Sequence, residues 1–164
     1  YVFLVEKLPT FLYNNGSFID TNTEDIIMAN VKELLKAEEN GSLSFGDYSL
    51  TQKTKLDEFS FEGDVYKVKT FQEITRLEKN GGVVYESVPG SAVHGYKETE
   101  RQIAFETEAA DDLQITLEVE PEKEYKVFVN DTNIGKLKSS LGGKISFSIE
   151  LDAGETAKVQ VVKL

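Results

Sequence analysis

The sequence has no cysteine and no tryptophan, and it holds a single histidine, His94, among its 164 residues. Without cysteine the chain can form neither a disulfide nor a thiolate nucleophile, and zinc ribbons and iron–sulfur clusters built on cysteine are excluded. The absence of cysteine slightly favours the cytoplasm, while secretion stays compatible with the sequence.

Long apolar runs are also missing. No run approaches the roughly 20 residues that span a bilayer, so membrane insertion is not expected. The opening run Tyr1–Val5 is interrupted by Glu6 and Lys7, which is typical of a strand rather than of a signal sequence. The sequence begins with Tyr1 rather than methionine, so a targeting segment removed from its front stays compatible with it.

Basic residues are in the minority, with 18 against 29 acidic ones and a formal net charge of −11. Binding to DNA or RNA depends on neutralising phosphates, so no nucleic-acid partner is expected. The charge is uneven: residues 98–124 carry ten acids and two bases, whereas residues 125–164 carry six lysines and four acids. We interpret the acidic stretch as a solvated face of a soluble, acidic protein.

One amphipathic helix is predicted over residues 22–40. Thr21 stands at the N-cap three residues before Glu24, which is the spacing of a capping box. Apolar side chains then recur at helical spacing on one side: Ile27, Met28, Val31, Leu34 and Leu35. Asn40-Gly41 offers a left-handed stop, so we expect this helix to lie against a sheet.

Three tight hairpins are predicted from turn residues that tolerate left-handed backbone. Their turns are Asn14–Ser17, Glu62–Asp64 and Asn80–Gly81. Counting outward from Asn80–Gly81, the last of these, pairs Leu77 with Val84 and Arg76 with Tyr85.

The last third of the chain alternates apolar and polar residues with a period of two. Four runs show it: Leu113–Val119, Tyr125–Val129, Ile145–Leu151 and Ala157–Val161. Each run predicts a strand with one buried and one wet face. In architecture alone, residues 113–164 resemble the small β-modules appended to carbohydrate-active enzymes, and that resemblance implies glycan binding.

These patterns together predict a mainly β (α+β) fold: an antiparallel β-sandwich, or small barrel-like sheets, with the one helix packed on a sheet. We expect residues 1–110 to hold hairpins and the helix, and residues 111–164 to form an antiparallel meander, the two making one compact unit.

No catalytic, cofactor or metal-binding motif is found in the sequence. Asn130–Gly135 has the composition of a calcium loop, but its glycine comes one residue early and Gly142 stands where a bidentate acid is needed. The one candidate ligand loop consists of Pro89, Gly90, Ser91, His94 and Gly95, since its glycines allow close backbone approach. Ser91 and His94 lie too close in sequence for an ordinary nucleophile and base.

The leading interpretation is therefore a non-enzymatic interaction or structural protein, with an unknown protein partner or a second copy of the chain as its ligand. The alternative is a glycan-binding accessory module, which the absence of tryptophan weakens. A hydrolase that uses carboxylates or His94 is the third possibility.

Overall fold

The computed structural model describes residues 33–164, which belong to one compact unit, Val31–Leu164. This part of the chain holds thirteen strands and no helix. Sheet A has seven of them: β1 (Leu35–Ala37), β2 (Leu43–Phe45), β7 (Ser91–Glu98), β8 (Gln102–Ala109), β10 (Glu124–Val129), β11 (Thr132–Lys138) and β13 (Thr156–Lys163). Sheet B has six: β3 (Thr54–Phe61), β4 (Asp64–Phe71), β5 (Ile74–Lys79), β6 (Gly82–Val88), β9 (Leu113–Glu118) and β12 (Lys144–Ile149).

Every pairing in both sheets is antiparallel. Sheet A runs in the order β1-β2-β7-β8-β13-β10-β11, and sheet B in the order β12-β9-β6-β5-β4-β3. Within residues 33–164 there is no helix with the length and hydropathy that a membrane span requires.

The two sheets share one hydrophobic core, in a sandwich-like arrangement. Phe45 of sheet A meets Tyr85 of sheet B edge-to-face, with ring centroids 5.3 Å apart. Val159 in β13 and Leu117 in β9 are fully buried, while their strand neighbours alternate outward. The mainly β fold predicted from the period of two is therefore confirmed.

The helix predicted over residues 22–40 is wrong for the part that the structure describes. Leu34 has a φ of 68°, which no right-handed helix contains, and Leu35–Ala37 forms β1. Leu35 pairs with Phe45 and is only 1% exposed, so sheet pairing and burial override its helical spacing. Asn40-Gly41 turns the chain from β1 into β2 instead of ending a helix. Residues 22–32 of the predicted helix lie outside the described residues.

Two of the predicted hairpins are present and the third, at Asn14–Ser17, lies outside the described residues. The turns at Glu62-Gly63 and Asn80-Gly81 have positive φ at both central residues, as two-residue hairpins need.

The predicted register beside Asn80-Gly81 is wrong by one residue. Leu77 pairs with Tyr85, not Val84, because a bulge lies between Leu77 and Glu78, and Glu78 pairs with Val83. The bulge leaves Val84 as an extra residue in β6 and turns Tyr85 into the core, where it is fully buried.

The four predicted strands of the last third are present as β9, β10, β12 and β13. They do not stand apart from the earlier strands, since β13 pairs with β8 and β9 pairs with β6. Strand pairing therefore crosses the division predicted between residues 110 and 111.

Candidate functional site

The predicted ligand loop is divided between the core and the surface. Gly90 is buried and donates its N–H to the carbonyl of Gln72 at 3.0 Å. A Cβ at Gly90 would collide with the carbonyl oxygen of Phe71. The close backbone approach expected of this glycine is thus made to the protein's own chain.

Ser91, the next residue, is at the centre of a buried set of hydroxyls that we call the hydroxyl network: Thr70, Thr75, Tyr85, Ser87 and Ser91. All five side chains have 0% exposure. The Thr75 hydroxyl donates to the Ser91 carbonyl at 2.8 Å and accepts from the Ser91 N–H at 2.9 Å. The Thr75 hydroxyl gives its only proton to the Ser91 carbonyl. In the 2.8 Å hydrogen bond between Thr70 and Thr75, Thr70 must therefore be the donor.

The donor and acceptor of each hydrogen bond are also fixed in the other half of the hydroxyl network. The Ser87 hydroxyl donates to the carbonyl of Pro89 at 3.0 Å, so Ser91 must donate to Ser87 and Tyr85 to Ser91, over 2.7 and 2.9 Å. Each hydroxyl of the network therefore donates its proton to an acceptor within the protein. The hydroxyl network therefore stabilises the contact between the sheets, and none of its members is available to a ligand.

Ser91 and His94 lie on opposite faces of β7. Successive side chains of a strand alternate, so Ser91 and Val93 lie on the core face of β7, while Ala92 and His94 lie on its other face. His94 pairs with Glu106 of β8 and is half-buried, and Gly95 donates its N–H to the Ser44 hydroxyl at 3.1 Å. The imidazole thus cannot act as a base for the Ser91 hydroxyl.

His94 and Gly95 line an open surface hollow of about 650 Å³ beside β1 and β2. A second concave feature, with aromatic walls, lies at one end of the sandwich. We call it the end cleft: an open space of about 470 Å³ between the β1–β2 turn, the β3–β4 turn, β5–β6 and β7. Three aromatic side chains line it, Phe61, Tyr66 and Tyr96. Loops and strand ends of both sheets build it, which is how sandwiches commonly form binding sites.

Tyr96 is the central side chain of the end cleft. Its ring packs into the core against Phe45 and Phe105, with centroid distances of 5.9 and 5.8 Å, and the residue is 5% exposed. Its hydroxyl is the one buried side-chain polar atom in residues 33–164 without a hydrogen-bond partner. Burial, and after it the charge of Glu98, raises the pKa of this phenol, so the hydroxyl stays neutral and able to donate or accept.

The charged residues of the end cleft are four acids and two bases: Glu39, Glu62, Asp64, Glu98, Lys79 and Lys97. Asp64 pairs with Lys79 at 3.7 Å, and Lys97 donates to the carbonyl of Asn40 at 3.2 Å.

Three carboxylates of the end cleft have no ion-pair partner. Among residues 33–164, none of Glu39, Glu62 and Glu98 takes part in an ion pair. The end cleft therefore has uncompensated negative charge.

The Glu98 carboxyl of the end cleft has a raised pKa. Although Glu98 is an exposed residue, partial burial of its carboxyl raises its pKa; Lys79 acts in the opposite direction and Glu118 adds to the rise. Tyr66 responds in the same way, since burial raises its pKa and the nearby Asp64 and Glu98 add to it. The ionised form of Glu98 is thus disfavoured by partial burial of the carboxyl, and Lys79 opposes that effect.

No family model, no curated protein and no solved structure matches this chain. The function must therefore be argued from the geometry of the end cleft.

The side chains that line the end cleft are mostly aromatic or charged. The described residues include no group of histidine and carboxylate side chains that could hold a metal ion. The lining of the end cleft includes no serine, threonine or histidine. What it offers is a neutral phenol, unpaired carboxylates and aromatic walls.

Sequence reasoning did not find the end cleft. Its lining residues come from positions between 39 and 98 and meet only through the order of the strands in two sheets. A usable signal was present in Tyr66, an aromatic residue on a predicted strand directly after the acidic turn Glu62–Asp64. No comparable signal marks Tyr96, because the glycines before it favoured a loop.

Proposed function

We propose that this protein is a non-enzymatic interaction protein that binds a segment of a partner protein in the end cleft. The observation that carries the proposal is the Tyr96 hydroxyl, which is buried at the cleft and has no partner among the described residues. An unpaired buried hydroxyl costs about 1–3 kcal/mol. A ligand that supplies the missing hydrogen bond would recover that free energy, which makes the hydroxyl a natural anchor point for a ligand.

The shape of the end cleft supports a peptide segment rather than a sugar ring. Sugar platforms present exposed, flat aromatic faces, whereas Tyr66 and Tyr96 are 8% and 5% exposed. The rings of Phe61 and Tyr66 are inclined at 58° to each other, so they form no common plane. A side chain that enters between the sheets fits this arrangement better than a ring that stacks on a surface.

A selection from a random peptide library on the full 164-residue chain tests the proposal. We expect enriched peptides to bind the protein in a fluorescence anisotropy titration and to lose about tenfold in affinity for Tyr96→Phe, the worth of one hydrogen bond. Tyr125→Phe is the matched control, because the Tyr125 hydroxyl is occupied by the Glu120 N–H at 3.0 Å, away from the end cleft.

Two results would count against the proposal. One is a library that yields no enriched peptide on the wild-type protein. The other is a set of enriched peptides that bind wild type and Tyr96→Phe equally well, which would place the interaction outside the end cleft.

A further inference from the structure

The charge left over in the end cleft indicates which chemical group it recognises. Glu62 and Glu98 have no ion-pair partner among residues 33–164. The two lysines of the cleft offset only part of the negative charge, since four acids face two bases and Lys79 is already paired with Asp64. A ligand that brings positive charge would therefore be favoured by the net negative charge of the end cleft.

Tyr96 sets a second requirement on the ligand, which is that it carries an N–H donor. Its phenol is neutral and unpaired, so its oxygen can accept an N–H at a depth where water does not compete. An ion without N–H donors would leave that oxygen unsatisfied. A carboxylate or phosphate ligand would accept the phenol proton but would be repelled by the unpaired acids.

The aromatic walls add a third contribution. Tyr66 and Phe61 form a tilted pair in the lining of the end cleft, with centroids 6.2 Å apart. Aromatic rings attract organic cations through their negative faces, by about 0.5–1 kcal/mol where solvent has access. Metal ions, by contrast, have no cluster of ligands here.

We infer that the group bound in the end cleft is an N–H-bearing organic cation, the guanidinium or ammonium group of an arginine or lysine side chain of the partner. Its N–H groups donate to the Tyr96 oxygen and to the carboxylates of Glu62 and Glu98. The inference rests on the proposed function, which it makes more specific. A guanidinium meets these groups with a planar fork of donors, so arginine fits better than lysine.

Small probes test the charge requirement without a partner. The full-length protein, labelled with ¹³C on its tyrosine rings, is titrated with methylguanidinium chloride and with N-methylurea, a neutral molecule of the same shape. A titration with sodium chloride at equal ionic strength corrects for screening. We expect methylguanidinium to give saturable shifts of the Tyr66 and Tyr96 signals and N-methylurea to bind at least about tenfold more weakly.

Two carboxamide variants locate the charge that matters. Glu98→Gln should weaken methylguanidinium binding about five- to tenfold, as expected for loss of a charge-assisted hydrogen bond. Glu100→Gln, which removes the same charge from an exposed residue outside the lining of the end cleft, should leave the affinity within about twofold. Tetramethylammonium, which has no N–H, should bind more weakly than methylguanidinium.

The outcomes separate failure of the inference from failure of the proposed function. Equal binding of methylguanidinium and N-methylurea, or no shift of either tyrosine with methylguanidinium, overturns the inference. If peptides selected on the protein depend on Tyr96 but share no arginine or lysine, the proposed function holds and the inference is wrong. If no peptide depends on Tyr96, the proposed function itself fails.

Discussion

Two buried tyrosines lie side by side in the core and differ in what their hydroxyls meet. Tyr85 and Tyr96 both pack against Phe45 and Phe105, and their own ring centroids are 6.4 Å apart. The Tyr85 hydroxyl donates to Ser91 inside the hydroxyl network, whereas the Tyr96 hydroxyl, at the end cleft, has no partner among the described residues.

The same physical criterion, the count of hydrogen bonds, distinguishes a structural polar site from the proposed binding site. A buried network in which each donor has an acceptor rigidifies the fold, and removing a member leaves others unpaired. A single buried hydroxyl with no hydrogen-bond partner reduces stability unless a ligand supplies that partner. Burial of a polar side chain alone therefore says little about function until its hydrogen bonds are counted.

The largest effect expected is on the hydroxyl network. Thr75→Val keeps the shape of the side chain but removes the oxygen that Thr70 and the Ser91 backbone use. We expect a loss of about 2–4 kcal/mol in the free energy of unfolding, since more than one buried group loses its partner. Urea denaturation followed by circular dichroism measures it. A loss under about 1 kcal/mol would show that the hydroxyl network relaxes and is not the rigid structure described here.

The comparison of Tyr85 with Tyr96 is tested most sharply by removing each hydroxyl, which should change the free energy of unfolding by a smaller amount and in opposite directions. Tyr85→Phe should destabilise the protein by about 1–2 kcal/mol because it leaves the Ser91 oxygen without its donor. Tyr96→Phe should stabilise it by about 1 kcal/mol, because it removes a hydroxyl that is desolvated and unpaired. Both values come from the same denaturation experiment. Destabilisation by Tyr96→Phe would mean that the hydroxyl already has a partner in solution.

The smallest effect concerns the pH dependence of stability at the end cleft. The groups that influence the Glu98 carboxyl are Lys79 and Glu118, and it in turn acts on the hydroxyls of Tyr66 and Tyr96. Burial raises its pKa above the unfolded value of about 4.3, so between the two values the folded state holds a proton that the unfolded state has lost. Stability contributed by this group therefore falls as pH rises through that window.

Glu98→Gln should remove this pH dependence and be more stable than wild type at pH 7, with no advantage at pH 4. Glu100→Gln serves as the control for a general loss of negative charge. Thermal unfolding of the three proteins at both pH values measures the difference. A Glu98→Gln variant less stable than wild type at pH 7 would show that the carboxylate is paired, contrary to the structure.

Much of the fold could be predicted from the sequence because alternation is a local signal. Leu113, Ile115 and Leu117 are all buried in β9, as their period of two requires. The helix prediction failed at Leu34 and Leu35, where a short run of apolar residues fits both a helix and a strand. Pairing of β1 with β2 decides their conformation.

The candidate site was beyond sequence reasoning for two physical reasons. Strand β7 was hidden because Pro89, Gly90 and Gly95 are turn residues, yet here they serve close packing and a bulge in β7. The end cleft depends on which strands become neighbours, and a single sequence does not specify that order. Tyr96 became informative only when the structure showed its hydroxyl without a partner.

The position of β13 has a consequence for how the protein is made. Although it is the last strand of the sequence, β13 lies in the middle of sheet A, between β8 and β10. During synthesis β8 emerges with an open edge, and the β10–β11 hairpin has no sheet to join until Thr156–Lys163 is translated. An open edge is a template for pairing with other chains, so this interval is when the nascent protein is most exposed to misassociation. A chain that stopped short of Thr156 would hold two fragments of sheet A with nothing to join them.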